Sequence, residues 1–201
     1  MRISGVPWRP TWLGMLQLAI VGGLVVMAAI GVVNAVALVT TRSIEFAMPV
    51  ATTPGLATEI GGVTVQVVVP GPTGWQLVAH SLVSFPTFVV IVTLLALLLT
   101  VVHRARRGGP FDTAVIRRLR LLAGVGLVGG VAAQFVEFFA RSQLTASIPE
   151  DQVPYIWQAQ THVDIDLARI GLWILVGVGF MAFAEVVNRG RALRAELDTV
   201  I

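Results

Sequence analysis

Cysteine is absent from the 201 residues, and so is lysine. Without a thiol there is no disulfide, no thiolate nucleophile and no thiolate metal site, so any segment outside the apolar runs is held by packing alone. Charge is scarce as well: Asp, Glu, Lys and Arg make up 12% of the chain, against about 25% in a soluble domain. No glycine-rich phosphate loop follows a strand-like run. No nucleophile has a convincing base beside it, and no series of buried acids crosses an apolar run. These absences point away from enzyme chemistry and from proton pumping, and no cofactor is expected.

What the chain does have is apolar sequence in long blocks. It is 56% hydrophobic, with a mean hydropathy of +0.84, and the blocks are too long for soluble core elements. The expected class is an all-α integral membrane protein, a bundle of four transmembrane helices forming one membrane domain over residues 1–201. All 14 strongly basic residues are arginine, a composition that suits a GC-rich bacterial genome. The pI of about 10.9 does not point to direct nucleic-acid binding, because the arginines flank apolar runs and no aromatic-basic surface accompanies them.

The bundle is organised around residues 103–120, HRARRGGPFDTAVIRRLR, which hold Arg104, Arg106, Arg107, Arg117, Arg118 and Arg120. Basic residues close to span ends stay on the cytoplasmic side. Four spans are expected at about 12–39, 76–102, 119–139 and 170–187, with an inner loop at 103–118 and an inner tail at 188–201. Segments 41–75 and 142–168 then lie outside. This orientation places Arg2, Arg9, the six loop arginines, Arg189, Arg191 and Arg194 inside. Only Arg42, Arg141 and Arg169 remain outside, with Glu45, Glu59, Glu137, Glu150, Asp151, Asp164 and Asp166. The opposite orientation reverses that asymmetry. The expected location is the bacterial cytoplasmic membrane, multi-pass, with both termini cytoplasmic and anionic lipid around the arginines.

Within the runs, the first is too long for the apolar region of a signal peptide, although Asn34-Ala35-Val36-Ala37 ends in a small-x-small pattern. An uncleaved span is expected. In 41–75, prolines and glycines punctuate β-branched runs, and Val63, Val65 and Val67 alternate with Thr64, Gln66 and Val68. A β-rich outer cap of roughly two to four strands follows. Pro86 removes a backbone hydrogen bond inside the second span, beside Ser81, Ser84 and Thr87, so a kink near Ser84 is expected. Gly108-Gly109-Pro110 stops the helix and forms a hinge, and Asp112 is placed to cap the next one, with Thr113 as the other candidate. Gly126 and Gly130 form GxxxG in the third span. That motif favours close packing against another helix of the chain.

Three sets of residues are candidates for chemistry. Glu137, with Gln134 and Arg141 on one helical face, lies in the apolar part of the third span. An ionisable group there is a functional candidate, or an ion pair with Arg141 or Arg169. Glu185 stands likewise near the inner end of the fourth span, within reach of Arg189 and of Arg118 or Arg120. His162, Asp164 and Asp166, with His80 on the same side, form a weak candidate metal site in a pattern that matches no known ligand spacing.

With the segments placed, the chain resembles a bacterial family of four-span membrane proteins, domain-of-unknown-function family twenty-nine seventy-five. One stretch is Gly109-Pro110-Phe111-Asp112 with Ile116-Arg117-Arg118-Leu119-Arg120, similar to that family's PF…RRLR turn. The other is Phe183 to Arg194 with Glu196 to Val200, similar to its AEVFRRGAxLRxExExTV ending. Val187 and Asn188 stand where Phe and Arg are usual, and Asp198 abuts Thr199 directly. The resemblance implies no catalytic residues. It implies a small cytosolic helix-turn-helix regulator as a partner. The function expected is non-enzymatic: sensing an envelope condition and relaying it through the basic inner face. The alternatives are a small transporter, channel or immunity protein using Glu137, Gln134 and Pro86, and a metal-dependent enzyme on the outer His and Asp residues.

Overall fold

The computed structural model describes residues 11–41, 43–50, 63–108, 112–147 and 165–200. Its elements are α1 (Thr11–Thr41), β1 (Ser43–Val50), β2 (Val63–Pro70), α2 (Gly74–Gly108), α3 (Thr113–Gly124), a π-helical turn (Val125–Gly129), α4 (Gly130–Ala146) and α5 (Leu167–Val200). The turn joins α3 and α4 into one rod. Four helices are then long and apolar enough to cross a membrane: Trp12–Ala37, Gly74–Arg107, Thr113–Ala146 and Leu167–Leu197. They fit a multi-pass membrane protein.

The surface agrees with that assignment. Met15, Leu18, Val25 and Val33 of α1 are all well exposed, as are Phe139, Leu172, Leu175 and Val186 on the later helices. Water would penalise so much apolar surface, whereas lipid tails accept it.

Contacts at the helix ends fix an antiparallel order. The start of α1 meets the end of α2, where Arg106 donates to Gln17 Oε1. The start of α3 also meets the end of α2, through Arg118 Nη1 and the Thr100 carbonyl at 3.1 Å. Below that junction lies the core cluster of Val101, Val115, Leu119, Leu122 and Ala184, with Leu94, Leu98 and Phe180 packed against it. At the other end the start of α2 meets the end of α4, where Gln76 Nε2 donates to the Ser147 carbonyl and hydroxyl, each at 3.3 Å. The bundle therefore has an arginine-rich end and an opposite end.

The glycine motif packs within the chain. A Cβ built on Gly126 would touch Val176 Cγ1 at 3.4 Å, and one on Gly130 would fall inside the Trp173 indole. From the facing helix, a Cβ on Gly177 would come within 2.8 Å of Leu127 Cβ. Backbones at this distance make dispersion contacts that a methyl group would block. The π-helical turn lies in this glycine-rich stretch. One extra residue in a turn leaves a flaw that is tolerated where few side chains crowd the helix.

The β segment is an antiparallel hairpin, with registered pairs from Ser43↔Pro70 to Val50↔Val63. Ile44 and Val69 face each other in the register and are both buried, whereas Val68 and Pro70 are exposed. That alternation is the expected strand signature. The hairpin base packs against α1 and α2. Gly61 and Gly62, a pair suited to a hairpin turn before Val63, lie outside the described residues, as do Gly109 and Pro110 of the expected hinge.

Several boundaries move. The second and fourth spans lie within helices of 35 and 34 residues, so Arg104 to Arg107 and much of the tail segment are helical rather than loop. Ser142–Ala146 continues α4, and Leu167–Ala168 already belongs to α5. The helix α2 runs through Pro86 without interruption. The Ser81 hydroxyl bonds the Leu77 carbonyl at 2.9 Å, not the carbonyl that proline leaves free.

Candidate functional site

Both ends of the bundle concentrate polar groups. At the opposite end, Glu137 projects from α4 and is buried. Its Oε1 accepts from Arg141 Nη2 at 2.6 Å and from Arg169 Nη1 at 3.1 Å. Arg141 is one turn along the same helix, whereas Arg169 comes from the first turn of α5. Gln134 Nε2 approaches Glu137 Oε2 at 3.5 Å and Thr87 Oγ1 at 3.4 Å. The cluster thus ties α4 to α5 and to α2. Asp166 completes it: Oδ1 accepts from the Arg169 amide at 3.0 Å, capping α5, and Oδ2 meets Arg169 Nε at 3.2 Å.

This geometry is that of the ion-pair alternative for Glu137. Two cations share one carboxylate that has little contact with solvent, while both guanidiniums are about half exposed. Such an arrangement holds helices together.

At the same end of the bundle is a feature that sequence reasoning missed. Thr73 and Gln76 form a reciprocal capping box at the start of α2: the Thr73 amide donates to Gln76 Oε1 at 2.8 Å, and the Gln76 amide to Thr73 Oγ1 at 3.4 Å. The signal was present as Thr-x-x-Gln before an apolar run. The same Gln76 reaches Ser147, so the cap also ties two helix ends.

Of the weak metal candidates, His162 and Asp164 lie outside the described residues. Asp166 is engaged with Arg169, and His80 carries a buried Nδ1 with no hydrogen-bond partner among the described residues. The described residues hold no group of three His, Asp or Glu suited to a metal ion.

At the arginine-rich end, α1, α2 and α3 line an open cavity of about 750 Å³, with Leu99 and His103 of α2 also in its wall. Gln17 lines it from α1, Thr100, Arg104 and Arg107 from α2, and Asp112 and Arg118 from the start of α3. The α3 wall is set by its cap. Asp112 Oδ1 accepts from the Ala114 amide at 3.1 Å, as expected for an N-cap. Of the six arginines, Arg104, Arg107 and Arg118 line the cavity. Arg106 bonds Gln17 beside it, and Arg117 and Arg120 are exposed on α3 outside the lining.

Further along this end, Glu185 Oε1 accepts from Arg189 Nε at 3.1 Å, an exposed pair one helical turn apart. Gln17 is the participant that sequence reasoning missed. A single amide in an apolar run gives little sign of which neighbour it will meet.

Comparisons with known proteins add no relative: no family model matches the chain, and no curated protein or solved structure matches it either.

Proposed function

We propose that this chain is a non-enzymatic, multi-pass protein of the bacterial cytoplasmic membrane that relays an envelope condition to a partner at its basic cytosolic face. In this arrangement the arginine-rich end lies in the cytosol, with the residues before α1 and the end of α5 on that side. The β hairpin and the Glu137 cluster face outward. The charge asymmetry of the segments supports this orientation.

The observation that carries the proposal is the continuity of α5. Its 34 residues extend about 51 Å at helical rise, well beyond the roughly 30 Å of a bilayer's hydrocarbon core. One rod therefore begins at the Arg169–Glu137 contact and continues through the Gly177 crossing to Arg189, Arg191 and Arg194. Movement of its outer end displaces its inner end without an intervening joint. The partner suited to the face it displaces has an acidic surface, and the family resemblance suggests a small helix-turn-helix regulator.

The test is co-purification from native membranes, comparing the wild type with a variant in which Arg104, Arg106, Arg107, Arg117, Arg118 and Arg120 are alanine. The expected result is loss of a specific cytosolic protein that the wild type retains. Retention of every cytosolic partner by the variant would remove the proposal. A transport pathway through Glu137 is less well supported, because that carboxylate is already bonded to two guanidiniums.

A further inference from the structure

We propose that the cavity at the arginine-rich end is a binding site for the phosphate headgroup of an anionic phospholipid. This is independent of the protein partner above. It differs from a diffuse attraction of the basic face to a charged surface, because it assigns the headgroup to particular walls.

The chemistry of the walls comes first. Arg104 and Arg107 are one turn apart on α2 and both exposed, and neither has a carboxylate partner among the described residues. Guanidinium forks match phosphate oxygens in pairs, which makes arginine better suited than a point charge to this ligand. Arg118 faces them from α3, held in place by its bond to the Thr100 carbonyl. Gln17 accepts from Arg106 through Oε1, so its amide nitrogen keeps both donors. Asp112 is the single acid in the lining. Its Oδ1 is bonded to the Ala114 amide and the Thr113 hydroxyl, so its charge rests on the α3 N-terminus.

Position selects the source of the phosphate. The cavity straddles the change in α2 from apolar to charged sequence, with Leu99 on its deeper side and Arg104 and Arg107 beyond. Val21, one turn further along α1 on the same face as Gln17, is an exposed apolar side chain. A ligand with a phosphate and attached acyl chains meets both surfaces at once, and free phosphate meets only the first. Basic pockets between spans at the cytosolic side are the usual setting for such headgroups.

The experiment uses the full chain in nanodiscs of zwitterionic phosphatidylcholine. Phosphatidylglycerol is titrated in, and retained lipid is counted by native mass spectrometry after release. The wild type is expected to retain one phosphatidylglycerol. R104Q/R107Q is expected to bind it at least tenfold more weakly, the loss that follows when charge-assisted hydrogen bonds to a phosphate are removed. R191Q/R194Q removes the same charge from the exposed tail and is expected to bind as the wild type does. Equal weakening in both pairs would mean diffuse electrostatics and would overturn the site. Inorganic phosphate or glycerophosphate at millimolar concentration that displaces the lipid would overturn the lipid assignment. In the wild type, a photoactivatable phosphatidylglycerol is expected to label residues near Gln17 and Leu99 to Arg107. Labelling confined to other parts of the chain contradicts the proposal whatever the variants do.

Discussion

Glu137 of α4 and Arg169 of α5, 32 residues apart in sequence, meet at 3.1 Å, Oε1 to Nη1. Arg141 reaches the same oxygen from one turn away. Glu137 is the more buried partner, so removing its charge leaves two cations facing each other.

Glu137→Gln is therefore expected to lower stability by about 1–2 kcal/mol, less than for a fully buried pair because both arginines are half exposed. Thermal unfolding in detergent micelles measures it. A cycle with Arg169→Gln isolates the interhelical part. Strict additivity of the two substitutions would show that this contact does not hold α5 to α4.

Gly130→Ala is expected to destabilise by about 1–3 kcal/mol, because the new methyl group enters space filled by the Trp173 ring. Gly179 lies nearby on α5 with nothing within 4 Å of a built Cβ. Gly179→Ala serves as the control and is expected to be neutral or slightly stabilising, since alanine favours helix. Equal effects at both positions would contradict the tight α4–α5 crossing.

Gln76→Ala removes one half of the capping box and the link to Ser147 together. A loss of about 1–2 kcal/mol follows. Hydrogen exchange should accelerate at the first turn of α2 and at the last turn of α4. Acceleration in α2 alone would show that the link to Ser147 contributes nothing.

Asp112→Ala removes the N-cap of α3 at a cost of about 1 kcal/mol. Faster exchange is expected at Thr113 to Ile116, with little change at Leu122 in the core cluster. Asp112→Asn retains an acceptor and is expected to restore most of the protection.

The four long apolar helices, the strand at Val63–Pro70 and the Asp112 cap were legible because each follows from local pattern: apolar run length, period-2 alternation, a short acceptor before a helix. Gly126 and Gly130 were legible as a close-packing surface, but not their partners Gly177 and Trp173, because the motif carries no address. The helices α2, α4 and α5 run past the expected spans. Apolarity marks the apolar stretch of a helix and not its ends, and Arg104, Ser142 and Arg189 continue the same helices beyond those stretches. The π-helical turn left no local signal. At the sites, the i,i+4 spacing announced Glu137–Arg141, and Arg169 was a candidate by its place at the mouth of the fourth span. The cavity was not legible, since it depends on Gln17 meeting Arg106 across 89 residues.

Orientation is the claim on which the proposed function depends, and thiol accessibility tests it directly. The chain has no cysteine, so a single Thr113→Cys beside the arginine turn gives an unambiguous signal, with Val68→Cys on the hairpin as its counterpart. In intact cells a membrane-impermeant maleimide is predicted to label position 68 and spare position 113 until the membrane is permeabilised. Labelling of position 113 in intact cells, with position 68 protected, would contradict the account.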